Sequence, residues 1–245
     1  MGIYVDSSSS LTLAENTITA NQYGIYIWSN SSGFYQGNII SGNQYGIYIL
    51  GGGTYLQNNI LGNQTGIYVY YNSNNPVLKG NTYSNNAMTD LSVSGTINTA
   101  VHWGETGDAV YTFGGLEVAE GASLTIDSGK TIKGDSGSQM SIHGTLTATG
   151  VTFTWVDGEH QWGGILFQGT GSSGSRLENC VLEHAKGWAY YGVLGIITIE
   201  GSSPTITGCT VKSSISDCGI LIQRGASPVV SNSTVSGMNS YGDIC

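Results

Sequence analysis

The sequence predicts an all-β chain wound into a parallel β-helix, a solenoid of roughly nine or ten coils. Three observations carry this expectation. Four tracts, GIYV, GIYI, GIYI and GIYV, begin at Gly2, Gly24, Gly46 and Gly66. Asparagines recur in phase with them at Asn16, Asn38, Asn58 and Asn81, and again five residues later at Asn21, Asn43, Asn63 and Asn86. The composition belongs to a folded chain with few charges: 39% hydrophobic and 10% aromatic but only 9% charged, where an ordinary domain carries about 25%.

Residues 1–95 hold the clearest repeats, with the consensus N-x-I/Y-x-x-N-x-x-G-I-Y-I/V. Alternation within GIYI sends Ile25 and Ile27 to one side and Tyr26 to the other, the period of a strand. Short β-branched tracts bounded by Gly, Asn and Ser fit strands and disfavour helix. A strand that returns at each repeat without a helical crossover must coil and stack on its predecessor. Asn tolerates left-handed backbone at bends, and its amide can bond to the identical amide one rung away. Both asparagine columns are therefore expected to be structural ladders.

Residues 96–115 break the phase and are expected to form an irregular junction containing His102, Trp103 and Asp108. A second run of coils is expected over 116–245. It opens with alternating strands in GASLTIDSGKTIKG (121–134) and MSIHGTLTATGVTFT (140–154). GILF at Gly164, GIITI at Gly195 and GILI at Gly219 are then expected in equivalent places, with AKGWAYYG (185–192) as an insertion.

These repeats resemble the pectate-lyase-like superfamily of right-handed parallel β-helices. EGASLTIDSGKTIKG, SIHGTLTATGVTFT, WGGILF and RLENCVLEHA are similar to a recurrent module of bacterial and archaeal surface proteins. The resemblance implies a right-handed coil and an extracellular or cell-surface location. It also raises polysaccharide lyase or hydrolase activity, which some superfamily members have. Such lyases use an acidic cluster that binds calcium, with an Arg or Lys nearby as base, whereas the acids here are scattered. Such hydrolases carry N-x-D and R-x-K segments, which this sequence lacks. No catalytic residue, cofactor or metal is therefore expected.

Charge and length narrow the partners. Seven Lys and Arg against 16 acids, a net charge of −9, cannot build a nucleic-acid footprint. No apolar run approaches the roughly 18–20 residues of a membrane span, so no membrane insertion is expected. MGIYVDSSSS shows neither the basic nor the apolar region of a secretion signal.

Four groups of residues remain as candidates. Tyr4, Tyr26, Tyr48 and Tyr68 should form an outward ladder, with Trp28 nearby, able to face a partner or a glycan. Asp157, Glu159, His160, Glu183 and His184 form a weaker acid–base alternative, beside Glu178 and Lys186. Cys180 and Cys209 should be buried thiols, whereas Cys218 is placed in a turn and Cys245 is free for an intermolecular disulfide. Finally, the tract at Gly2 and the recurrence of Gly242 at the phase of Gly219 suggest open strand edges at both coil ends, hence self-association into filaments. The function expected is a non-enzymatic structural solenoid of the cell surface. The alternatives are a polysaccharide lyase or hydrolase, or a carbohydrate-binding module contacting cell-surface polysaccharide.

Overall fold

A computed structural model describes residues 1–72, 75–107, 109–190, 193–212, 215–238 and 242–245, with backbone alone at 188–190. Asp108, Tyr191, Gly192 and Tyr241, which fall in segments singled out above, lie outside the described residues. The chain is an all-β parallel solenoid of about ten turns, and the one helical element among the described residues is a short 3₁₀ turn at Thr170–Gly174. Among the described residues no helix is long and apolar enough to cross a membrane. The chain divides into two units, Met1–Gly95 with Gly104–Tyr111, and Thr96–Trp103 with Thr112–Cys245.

The first unit has three faces of stacked parallel strands. Its first face comprises Ile3–Val5, Tyr23–Ile27, Tyr45–Ile49 and Thr65–Tyr71, followed by the start of Thr89–Ile97. The second comprises Ser10–Ala14, Ser32–Gln36, Thr54–Leu56 and Val77–Lys79. The third comprises Thr17–Thr19, Ile39–Ser41, Asn59–Leu61 and Thr82–Ser84. The repeat sets the register: Ile3, Ile25, Ile47 and Ile67 align, as do Tyr4, Tyr26, Tyr48 and Tyr68. Ile25, Ile27, Ile47, Ile49, Ile67 and Val69 are buried, with Tyr35 and Tyr55 stacked beside them in the interior at 4.7 Å. Gly24 is required here, because a Cβ would lie 2.5 Å from the carbonyl oxygen of Gly46 on the next rung.

Both asparagine columns are ladders. The N–H groups of Asn16, Asn38 and Asn58 donate to the Oδ1 of Asn38, Asn58 and Asn81, at 3.0, 3.0 and 2.9 Å. Asn21, Asn43 and Asn63 donate in the same way to Asn43, Asn63 and Asn86, at 2.9, 3.0 and 3.1 Å. Each Asn follows a residue of positive φ, such as Gly42 at 63° and Gln57 at 52°, so the ladder turns the chain and satisfies the buried polar groups of the turn together.

The second unit repeats the three-faced plan. Leu116, Met140, Ile165, Ile197, Ile220 and Ile244 align on one face. Leu124, Leu146 and Ala148, with Leu177, Ile206 and Val230 on later rungs, line another. Ile132, Phe153, Leu182, Val211 and Val235 line the third.

Three expectations change. Residues 96–115 are irregular only in part: strands occupy Ala100–Trp103 and the range from Tyr111, and Ala100–Trp103 pairs with Ser123–Ile126 and buries Trp103 against the register of Ile126, because the alternation of Val101 and Trp103 suits a strand. The glycines do not mark equivalent places. Gly164 and Gly195 are one position out of phase, since Ile165 pairs with Ile197, and Gly195 pairs with Cys218 rather than Gly219. Gly242 likewise pairs with Cys218. The buried isoleucines, rather than the glycines, fix the register, because a one-residue slip would turn every side chain to the other surface. Within the insertion, Trp188–Tyr190 runs antiparallel to the start of Val193–Glu200.

Candidate functional site

The first face of the first unit carries a ridge of seven aromatic rings. Tyr4, Tyr26, Tyr48 and Tyr68 stack in succession with ring centroids 5.7, 5.0 and 4.6 Å apart. Trp28 stacks on Tyr26 at 5.9 Å. Tyr23 and Tyr45, which the sequence reading passed over, form a second column at 5.3 Å and meet the first edge-on at 5.3–5.4 Å. Their signal was present in the recurring N-Q-Y-G of 21–24 and 43–46.

The orientation of these rings decides what they offer. Tyr26 and Tyr48 are 5.0 Å apart and within 5° of parallel. Rings so close and so parallel must overlap face to face, since coplanar neighbours would collide. The inner rings therefore direct their faces at one another and present edges and hydroxyls outward. Burial, followed by the neighbouring phenols Tyr68, Tyr26, Tyr23 and Tyr45, pushes the Tyr48 hydroxyl well above its ordinary range. The hydroxyl of Tyr68 bonds Ser94 Oγ at 2.7 Å. Tyr4 and Trp28 are the exposed members, at 49% and 41%.

The acid–base candidates fall into two groups, each already engaged. Asp157 Oδ1 accepts the backbone N–H groups of Glu159 and His160 at 2.9 and 2.8 Å, and Oδ2 pairs with His160 Nδ1 at 2.6 Å. Those backbone bonds, with the His160 contact, hold the Asp157 carboxyl well below its usual range, and the same contact raises His160. Glu183 is paired with Lys212 at 2.9 Å, on the neighbouring rung. Burial pushes Glu183 up, but Lys212, His184 and Thr154 outweigh it and leave the carboxyl below its ordinary value. His184 lies flat on Trp155 with ring centroids 4.1 Å apart, and its φ of 58° places it at a bend that histidine tolerates better than most residues. Glu178 is held by Arg176 at 3.1 Å, and the Lys186 N–H donates to the Trp162 carbonyl. Among the described residues no group of three or more His, Cys, Asp or Glu is placed to hold a metal ion.

The cysteines divide into pairs. Cys218 and Cys245 form a disulfide within the chain, with 6.1 Å between Cα atoms. This corrects the expectation of a free Cys245 reserved for another molecule. Gly242 pairs with Cys218, so the final strand returns Cys245 to its own rung neighbour, and Cys218 opens a strand instead of sitting in a turn. Cys180 and Cys209 are free and buried.

A family model described as "Right handed beta helix region" matches residues 1–109 and 112–245. No curated protein and no solved structure matches the chain.

Proposed function

The chain belongs to the right-handed β-helix family, and from that premise we propose that it is a structural solenoid of the cell exterior, non-catalytic, working through the long faces it presents. The observation that carries this reading is how the repeated polar and aromatic side chains are spent. Asparagine amides and tyrosine rings are directed at their own copies one rung away, an arrangement that stiffens a rod. The disulfide Cys218–Cys245 supports the extracellular placement, because such bonds persist in oxidising surroundings. The ridge is the surface through which a partner is met. Its edge-on rings favour a protein surface over a sugar chain, which would need open ring faces to lie on. Association between copies along the axis is part of the same proposal, because the N–H and C=O groups of each rung point along the axis toward the next.

The test is a broad panel of acidic and neutral polysaccharides, assayed with and without calcium for unsaturated or reducing ends, with sedimentation and electron microscopy of the same preparation. No turnover and a concentration-dependent rod are expected. Turnover abolished by Glu183→Gln or His184→Ala would overturn the non-catalytic reading. A concentration-independent monomer would remove the axial association.

A further inference from the structure

Cys180 and Cys209 stand on neighbouring rungs, since the Thr210 N–H donates to the Cys180 carbonyl at 2.8 Å. Their thiols make matching contacts. Cys180 Sγ donates to the carbonyls of Ala148 and Glu178, both at 3.4 Å. Cys209 Sγ donates to those of Leu177 and Thr207, at 3.3 and 3.5 Å. Leu177 is the register partner of Ala148, and Thr207 that of Glu178, so each acceptor is simply one rung further on. Two side chains related by the rung translation are set about 4.8 Å apart along the axis, and the two thiols interact directly.

That spacing discriminates between the fates open to a thiol pair. It is far too long for a disulfide, which needs about 2.05 Å and would require both side chains to turn. Two metal–thiolate bonds of about 2.3 Å laid end to end span close to one rung, so an ion between the two thiols needs little movement of either side chain. The column supplies two sulfurs and no more: Val151 lies one rung before Cys180, and Ser233 one rung after Cys209. Two soft donors in line, with a hydrocarbon on one side and a hydroxyl on the other, select a soft monovalent ion over zinc, which takes four ligands. We propose that Cys180 and Cys209 form a two-coordinate site for a soft monovalent metal ion of the copper(I) or silver(I) class, held between consecutive rungs.

Binding forms two sulfur–metal bonds, breaks two S–H bonds and releases two protons, with no change of oxidation state. Entry is from the bend between faces, where the exposed Asn179 precedes Cys180.

The test uses silver(I), which is redox-inert toward the Cys218–Cys245 disulfide. The intact oxidised protein is incubated with silver nitrate, desalted and analysed for bound metal, released protons and thiolate-to-metal absorption in the ultraviolet. One silver ion per chain, two protons per ion and a new absorption band are expected. Cys180→Ser and Cys209→Ser should each lose the bound ion. Serine already occupies this column at Ser233, so both variants should fold, which their circular dichroism would verify. Val151→Cys adds a third thiol to the column and should raise the bound silver. Wild-type protein that desalts free of silver would overturn the proposal, as would a serine variant that retains it or thiols found already joined in a disulfide.

Discussion

At the bend between the second and third faces the two units use the same backbone device and fill it differently. In the first unit Glu15, Gly37, Gln57 and Gly80 take positive φ, and Asn16, Asn38, Asn58 and Asn81 follow them. In the second unit Gly150, Asn179, Gly208 and Asn232 take positive φ, and Val151, Cys180, Cys209 and Ser233 follow. The bend therefore does not depend on asparagine. What asparagine adds is continuity: one amide accepts from the rung before while donating to the rung after, and it also reaches a carbonyl such as Leu13 or Tyr35. Cysteine and serine reproduce fragments of this pattern, as where the Cys209 N–H donates to Ser233 Oγ at 3.1 Å. The first unit is held at its bends by hydrogen bonds, and the second more by burial of small side chains.

The largest effect should come from breaking an inner rung of the asparagine ladder. Asn58→Ala removes the acceptor for both the N–H and the Nδ2 of the buried Asn38, and the donor to the Tyr35 carbonyl. Leaving such groups unpaired costs about 3 kcal/mol. A urea titration should show that loss; an unchanged midpoint would mean that the amide column is ornamental.

A smaller loss, about 2 kcal/mol, is expected for Tyr48→Ala, which removes the ring that meets Tyr26, Tyr68, Tyr23 and Tyr45. The interior phenol Tyr35 and the ridge phenols Tyr26 and Tyr48 also predict alkaline sensitivity. Burial raises Tyr35 to about 12 from 10.0, and raises Tyr26 and Tyr48 as well. Between the unfolded and folded values the native state binds more protons, so stability is complete below pH 10 and falls as pH rises toward 12. Melts at stepped pH would reveal the fall, and a flat profile across that window would contradict the burial of these phenols.

In the second unit the same bend should be forgiving. Cys209→Ser supplies a hydroxyl that can accept the Cys180 N–H and donate to the Thr207 carbonyl, so a change below about 1 kcal/mol is expected from thermal melts. A loss as large as that of Asn58→Ala would erase the distinction between the units. The smallest effect belongs to Glu183→Gln. Its ion pair with the half-exposed Lys212 is worth under about 1 kcal/mol, and a salt series on the wild type and variant should converge.

The first unit was legible in the sequence because one residue type performs one task on every rung. Ile25, Ile47 and Ile67, like Asn38, Asn58 and Asn81, are repeated because their neighbours are copies of themselves. Tyr23 and Tyr45 were harder to see because their column spans two rungs, too few to stand out as a series. The second unit hid its register because glycine can serve a bend, a bulge or a close approach, so the glycines at 164, 195 and 219 mark different backbone needs. Cys245 could not be assigned from spacing, since its pairing depends on how the last strand lies against Cys218. Of the acid–base candidates, sequence proximity gathered Asp157 with His160 and Glu183 with His184. It could not show that a lysine one rung away and a tryptophan ring had already engaged the second pair.

The asparagine columns also have a head and a tail. Every amide passes its hydrogen bond from the lower-numbered rung to the higher, and the second column terminates where Asn86 Nδ2 donates to the Asp90 carboxylate at 2.9 Å. Each link polarises the next, and the anion sits where the accumulated donor character emerges. A missing rung is therefore felt unequally. Toward Asn16 it leaves buried donors with nothing to bond, whereas toward Asn81 it leaves only a spare lone pair, the lesser penalty. A fault in this stack propagates in one direction, so the rod should unravel from a broken rung toward its lower-numbered coils while the coils above it stay wound.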